Sequence, residues 1–365
     1  MNTQVRIGSA DFGTHNGQPV KLWTLAADTA LGPMEIAVAE YGATLQRCVV
    51  PDARGTATDV ALGHDDLAGY VEGQTFFGAL AGRYGNRLRD SHVVIDGEPH
   101  DLVANEGAHC LHGGPRGFDK KVWQGGVLPD GDGLAFRLHS PDGDMGFPGN
   151  LTLDVAFRIT GAGVLTIDMT AVTDRVTLCN PVQHGYWNLG GHASGTIRDQ
   201  TARFAAEFYT PVDGDLLATG EVLSVTGTPF DFRVPKPIGR DLDGVSGDAG
   251  RGVYAGGGYD HNLVLGLPGA DGLRDCVEVI CPANGLGMRL RTTEPGVQFY
   301  TGGYLGAEVI GKGGHPYCAN AGFTLETQKF PGSPQFAHFP QAVLRPDQTY
   351  HHRMLFSFFH AAQSA

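Results

Sequence analysis

LTLDVAFRI, at Leu151–Ile159, is the stretch whose reading decides the fold. Leu151, Leu153, Val155, Phe157 and Ile159 alternate with Thr152, Asp154 and Arg158, the period of an extended strand with one buried face. A Gly161-Ala162-Gly163 turn follows, and Leu165, Ile167, Met169 and Ala171 repeat the alternation, so the spacing predicts a hairpin. Outward from it, Asp96-Gly97 marks a tight turn after Val93-Val94-Ile95, and Tyr350–Phe359 reads as an aromatic-rich strand. Helical periodicity is scarce: Asp65–Tyr70 and Glu72–Thr75 leave room for one short helix at most. Asp130–Gly133 and Asp241–Gly258, rich in Gly and Asp, read as surface loops.

Composition agrees with an all-β chain. Gly (55 residues) and Pro (21) are scattered along the 365 residues as punctuation, as many short strands joined by tight turns require. No linker and no repeat divides the chain, which predicts one domain over 1–365, a large antiparallel β-sandwich. The net charge of −13, with no run of Lys and Arg, argues against nucleic acid. A neutral or cationic small molecule fits better. Met1–Pro19 has no apolar core of a secretory signal, and no stretch has the length of a membrane helix. The six cysteines show no metal-ligand spacing. A cytoplasmic protein with reduced thiols is expected, with no membrane partner, as a monomer or homodimer.

Six polar, Gly-rich segments also carry aromatics and His. They are Gly82–Arg87, Leu111–Gly114, Asn180–Asn188, Gly258–Asn262, Gly296–Tyr300 and Phe323–Gln328. Hydrogen-bonding groups among rings are what a sugar site needs, because hydroxyls want donors and acceptors while the C–H face of a pyranose packs on a ring. Each segment has an ordinary structural reading as well. A strand Glu such as Glu326 usually faces solvent, His112 suits a turn, the Gly82–Arg87 arginines suit a surface, and Trp187 suits a core.

In order, these segments resemble the aldose 1-epimerase (galactose mutarotase) family. The resemblance rests on Gly-Arg-Tyr-Gly-Asn-Arg at 82–87, Leu-His-Gly-Gly with Gly117-Phe118-Asp119-Lys120 at 111–120, and Thr228-Pro229-Phe230-Asp231-Phe232-Arg233. It continues through Tyr259-Asp260-His261-Asn262, Gly296–Gly302, Leu325-Glu326-Thr327-Gln328 and Val343-Leu344-Arg345-Pro346. What it implies is a β-supersandwich with an open sugar cleft and interconversion of aldose anomers without metal or other cofactor. It also implies Glu326 as general base and His184 as general acid. Asn86, Arg87, His112, Tyr186, Asp260 and Gln298 fall at sugar-contacting positions.

The chemistry is consistent with those roles. Opening a hemiacetal needs one group to take the anomeric O1 proton and another to protonate the ring oxygen. A nearby carboxylate or other acceptor is expected to keep His184 charged. The segment around the acid departs from the family's usual Asn-His-Ser or Asn-His-Thr, reading Gln183-His184-Gly185. That change removes a hydroxyl and adds backbone freedom beside His184. The Gly-rich Gly244–Gly258 reads as an insertion at the cleft rim.

His112, His184, His261 and Glu326 could compete as metal ligands, but no His-x-His or His-x-x-x-His spacing links them. His351 and His352, adjacent on a strand, face opposite ways. Two other readings stand beside the epimerase. One is an epimerase of a sugar phosphate or other cyclic hemiacetal, the other a carbohydrate-binding protein without turnover.

Overall fold

The computed structural model describes residues 4–248, 257–306 and 308–361. The predicted hairpin is there: Leu151–Thr160 pairs antiparallel with Val164–Thr173, Leu151 opposite Thr173 and Thr160 opposite Val164. Burial alternates residue by residue along Leu151–Thr160, with the five apolar side chains inward. Asp96 and Gly97 both adopt positive φ (52° and 86°), the conformation of a type I′ turn between His92–Ile95 and Glu98–Asp101. Tyr350–His360 forms a strand that pairs with Val164–Thr173 on one side and Leu286–Thr292 on the other.

Three antiparallel sheets carry the fold. A nine-stranded sheet holds the hairpin and the C-terminal strand. A five-stranded sheet runs in simple order from Val5–His15 to Ala57–Asp59. A six-stranded sheet has the spatial order Tyr186–Trp187, Phe323–Gln328, Gly296–Tyr300, Asp260–Leu265, Ala206–Thr210, Leu223–Ser224. One hydrophobic cluster joins the inner faces of all three, including Leu25, Ile36, Val155, Phe157, Trp187, Phe299, Leu325 and Phe356. Each such side chain contributes roughly 1.5–3 kcal/mol on burial, so this shared core fixes how the sheets lie against each other. Trp187, fully buried against Phe356, is the core residue its segment suggested.

Among the described residues two short α-helices occur where one was expected. Leu67–Glu72 is capped by Asp66, whose carboxylate accepts from the Gly69 amide at 3.0 Å. The second, Leu242–Asp248, overturns the reading of Asp241–Gly258 as loop throughout. Leu242 and Val245, three residues apart, bury one face of it, a stripe too short to read among Gly and Asp. Of the Gly-rich stretch Gly244–Gly258, residues 249–256 lie outside the described residues. The six cysteines are unpaired, and only Cys318 is exposed. Among the described residues no helix is long and apolar enough to cross a membrane.

Candidate active site

The six-stranded sheet builds the site by alternation. In Phe323–Gln328 every residue is buried. Phe323 and Leu325 join the hydrophobic core, while Thr324, Glu326 and Gln328 point the other way. Register then brings polar groups into line: Glu326 lies opposite Gln298, and Gln298 opposite Asn262. The Gln298 carboxamide donates to Asp260 Oδ1 at 2.6 Å, and Gln328 Nε2 donates to Gln298 Oε1 and Asn262 Oδ1, both at 3.3 Å. Asp260 is thereby held by a chain of amides that runs beneath it.

His184 comes from the segment that pairs Val182 and Gln183 with Ala81 and Leu80. Its backbone is tied on both sides, His184 N–H to Ala79 O at 2.8 Å and Gly78 N–H to His184 O at 3.0 Å. The ring reaches Glu326, with Nε2 3.4 Å from Oε1. Thr324 donates to the same Oε1 at 3.0 Å, whereas the buried Oε2 has no hydrogen-bond partner. An unpartnered, buried carboxylate oxygen is costly.

Gln183 fills the space beside Gly185. Its Oε1 accepts from the Gly185 amide at 2.8 Å, and its Nε2 donates to Gly78 O at 3.1 Å. A Cβ added at Gly185 would fall 2.7 Å from that Oε1. The longer carboxamide occupies the space over residue 185 and restrains the backbone that carries His184.

A second wall comes from two facing turns. Asn86 and His112 both sit in the left-handed region (φ 61° and 52°). His112 N–H donates to Asn86 O at 3.1 Å, and Asn86 N–H to His112 Nδ1 at 3.2 Å. Since Nδ1 accepts, the proton of the neutral ring is on Nε2, and His112 presents a donor there. Arg87 is buried and forks onto Glu106, Nε to Oε2 at 2.5 Å and a terminal nitrogen to Oε1 at 2.8 Å. Arg83 of the same motif lies away from the site, fully buried, donating to Ser140, Pro148, Gly149 and Thr177. Neither arginine is the surface residue that a bare turn would have given.

The cleft so formed has a volume of about 820 Å³. Asn86, Arg87, His112, His184, Tyr186, Asp260 and Glu326 line it together. Gln298 is set one layer back, acting on Asp260 instead of forming the wall. Phe76, Glu106, Tyr300 and Tyr304 also line the cleft and stood in no role in the sequence reading. A groove of equal volume crosses the outer face of the nine-stranded sheet, but its charges pair with one another, Arg137 with Asp154 and Arg353 with Asp168.

Burial dominates the electrostatics. It pushes the Glu326 carboxyl up to about 8, reinforced by the negative Asp260 and opposed by the Thr324 hydrogen bond and Arg87. It lowers His184 to about 4, against the attraction of Asp260. The expectation of a charged His184 is therefore overturned: carboxylates are close, but loss of water outweighs them. His112 is also pushed well down, by burial and by the neighbouring His184 and Arg87. Both shifts favour, at neutral pH, a protonated Glu326 beside a neutral His184, a pair that holds one proton.

His112, His184 and Glu326 bring ligand-type atoms within 4.8 Å of one another, the arrangement a metal would need. His112 does not fit that use. Asn86 occupies its Nδ1, and its Nε2 carries the proton, so neither nitrogen offers a lone pair.

Fold and site together define an all-β protein with a buried carboxylate–imidazole pair at the floor of a polar, aromatic-edged cleft. The aldose 1-epimerase family model matches residues 24–357. The chain is 38% identical to galactose mutarotase of Bos taurus over 325 residues, 89% of this chain and 91% of the relative. It is 36% identical to aldose 1-epimerase of Escherichia coli over 92% of this chain and 94% of that one. The crystal structure of galactose 1-epimerase from Lactobacillus acidophilus superposes with a TM-score of 0.82 at 25% identity, covering 98% of this chain and all of that one. The chain belongs to the aldose 1-epimerase family.

Proposed function

We propose that this protein interconverts the α- and β-anomers of a free aldose, a hexose or pentose, as a single cytoplasmic domain that needs no cofactor. The observation that carries the reading is the Glu326–His184 pair, 3.4 Å apart and buried at the cleft floor.

The proton inventory makes the pair suited to this reaction. With a ring sugar bound, the productive state is an ionised Glu326 and a protonated His184. Glu326 takes the O1 proton, His184 protonates the ring oxygen, and the C1–O5 bond breaks to give the open-chain aldehyde. The pair is then a protonated Glu326 and a neutral His184, which is the arrangement burial favours. After rotation about C1–C2, closure returns both protons and yields the other anomer. One proton stays on the pair in both states, so no net charge enters or leaves a dry site. His112 Nε2–H is a donor for the ring oxygen or an adjacent hydroxyl, and Asp260, oriented by Gln298, accepts from sugar hydroxyls.

The cleft's cations argue against a phosphorylated substrate. Arg87 is committed to Glu106, and Lys120 donates to Gly73 O beside Asp119. Polarimetry on freshly dissolved α-D-glucose, α-D-galactose, D-xylose and L-arabinose tests the proposal. Acceleration of at least one is expected, and equilibration at the buffer rate for all four would refute it.

A further inference from the structure

Phe76 belongs to none of the segments that pointed to the site. It occupies the turn between Gly73 and Gly78, in the left-handed region (φ 57°), a conformation costly for an aromatic residue. Hydrogen bonds hold the turn against that strain. Ala79 N–H donates to Phe76 O at 3.1 Å, Gly78 N–H to His184 O at 3.0 Å, and Gln183 Nε2 to Gly78 O at 3.1 Å. The last two pin the turn to the segment that carries the imidazole. The Phe76 ring centre is 4.7 Å from that of His112 and 5.5 Å from that of His184, and Lys120 Nζ is 5.7 Å from it. Phe76 is half-buried and lines the cleft.

We propose that Phe76 is a positioning residue for proton transfer: its ring covers the two imidazoles on the cleft side, keeps water from them, and so confines the shared proton to Glu326 and His184. The inference rests on the reading of those two residues as the proton-transferring pair. Among the described residues no other aromatic ring contacts both imidazoles from that side; Tyr186 meets only the His184 ring, at 5.2 Å. The groups facing His184 are Glu326 from the sheet, His112 from the facing turn with Arg87 behind it, Asp260 across the sheet, and Tyr186 on its own segment; Lys120 lies beyond Phe76. None of them replaces the cover.

Removing the ring admits water to one side of the pair. Hydration favours the charged forms, so His184 rises and Glu326 falls, and the pH range in which the pair holds one proton narrows at both ends. The experiment compares Phe76→Gly, which suits the left-handed backbone, with Phe76→Leu, which keeps apolar cover. Phe76→Asn, also tolerant of that backbone, substitutes if the glycine variant does not fold. Two quantities are read: the pH dependence of kcat/KM for mutarotation, and the ¹⁵N NMR titration of the His184 ring, assigned by its loss in His184→Gln. In Phe76→Gly the His184 midpoint is expected to rise by about one pH unit and the alkaline limb to fall by a similar amount, with Phe76→Leu close to wild type. An unchanged His184 midpoint in a folded Phe76→Gly overturns the proposal. The NMR arm needs no turnover, so it decides the role of Phe76 even if the mutarotase reading fails.

Discussion

Replacing Glu326 by Gln should make the protein more stable at alkaline pH while disabling it. In the folded chain Glu326 is 2% exposed, and burial pushes its carboxyl from 4.5 up to about 8. The unfolded chain gives up that proton near the ordinary value. Between the two the folded state binds more protons, so the group's contribution to stability is fully present below pH 4.5 and is lost as pH rises through 8. Each pH unit inside that window is worth about 1.4 kcal/mol. From pH 6 to 8 the wild type should therefore lose roughly 2–3 kcal/mol that the Gln variant keeps. Gln has nearly the same shape and retains an oxygen for the Thr324 hydroxyl. His184, lowered to about 4, is neutral throughout this range in both proteins, and the other groups cancel in the comparison. Urea unfolding of both proteins at pH 6, 7 and 8 supplies the numbers. Parallel curves of stability against pH would refute the argument, because they would mean that Glu326 is already ionised in the folded state.

Three more outcomes follow from the contacts around the cleft. Gly185→Ser alone places a Cβ 2.7 Å from Gln183 Oε1 and should cost about 1–3 kcal/mol in thermal unfolding and raise KM; adding Gln183→Asn, one methylene shorter, should recover both. Arg83→Met strands the Ser140, Pro148 and Gly149 carbonyls and should destabilise by about 2–4 kcal/mol in denaturant titration, with KM of the folded protein unchanged. Arg87→Lys loses the two-pronged grip on Glu106 and should raise KM roughly tenfold in steady-state polarimetry, with a much smaller effect on kcat.

The sequence was most legible where one strand face is buried and the other wet. The Leu151–Ile159 alternation and the Asp96-Gly97 turn could be read directly, because solvent imposes a period of two. The strand that carries Glu326 gave no such signal. Phe323–Gln328 is buried on both faces, and its polar side chains sit inside the protein facing the cleft, so periodicity alone could not separate it from an edge strand with a solvated Glu. Its place in the site came from the family's ordered motifs. Face was legible where depth was not: Gln298 shares a face with Glu326 as alternation requires, yet it lies behind Asp260. Phe76 and Glu106 were illegible because turn geometry and long-range contacts, not local pattern, bring them to the cleft. The charge on His184 was misread because composition shows which carboxylates are near but not how much water is lost.

The measurement that bears most directly on the central claim is the mutarotation rate of wild type beside Glu326→Gln and His184→Gln, on whichever anomer the wild type equilibrates fastest. Each substitution should lower kcat by ~10²–10⁴-fold, and the double variant should be little worse than the poorer single one, since the two groups work as a unit. Wild-type rates in either variant, with the fold intact by circular dichroism, would contradict the assignment of the proton transfers to this pair.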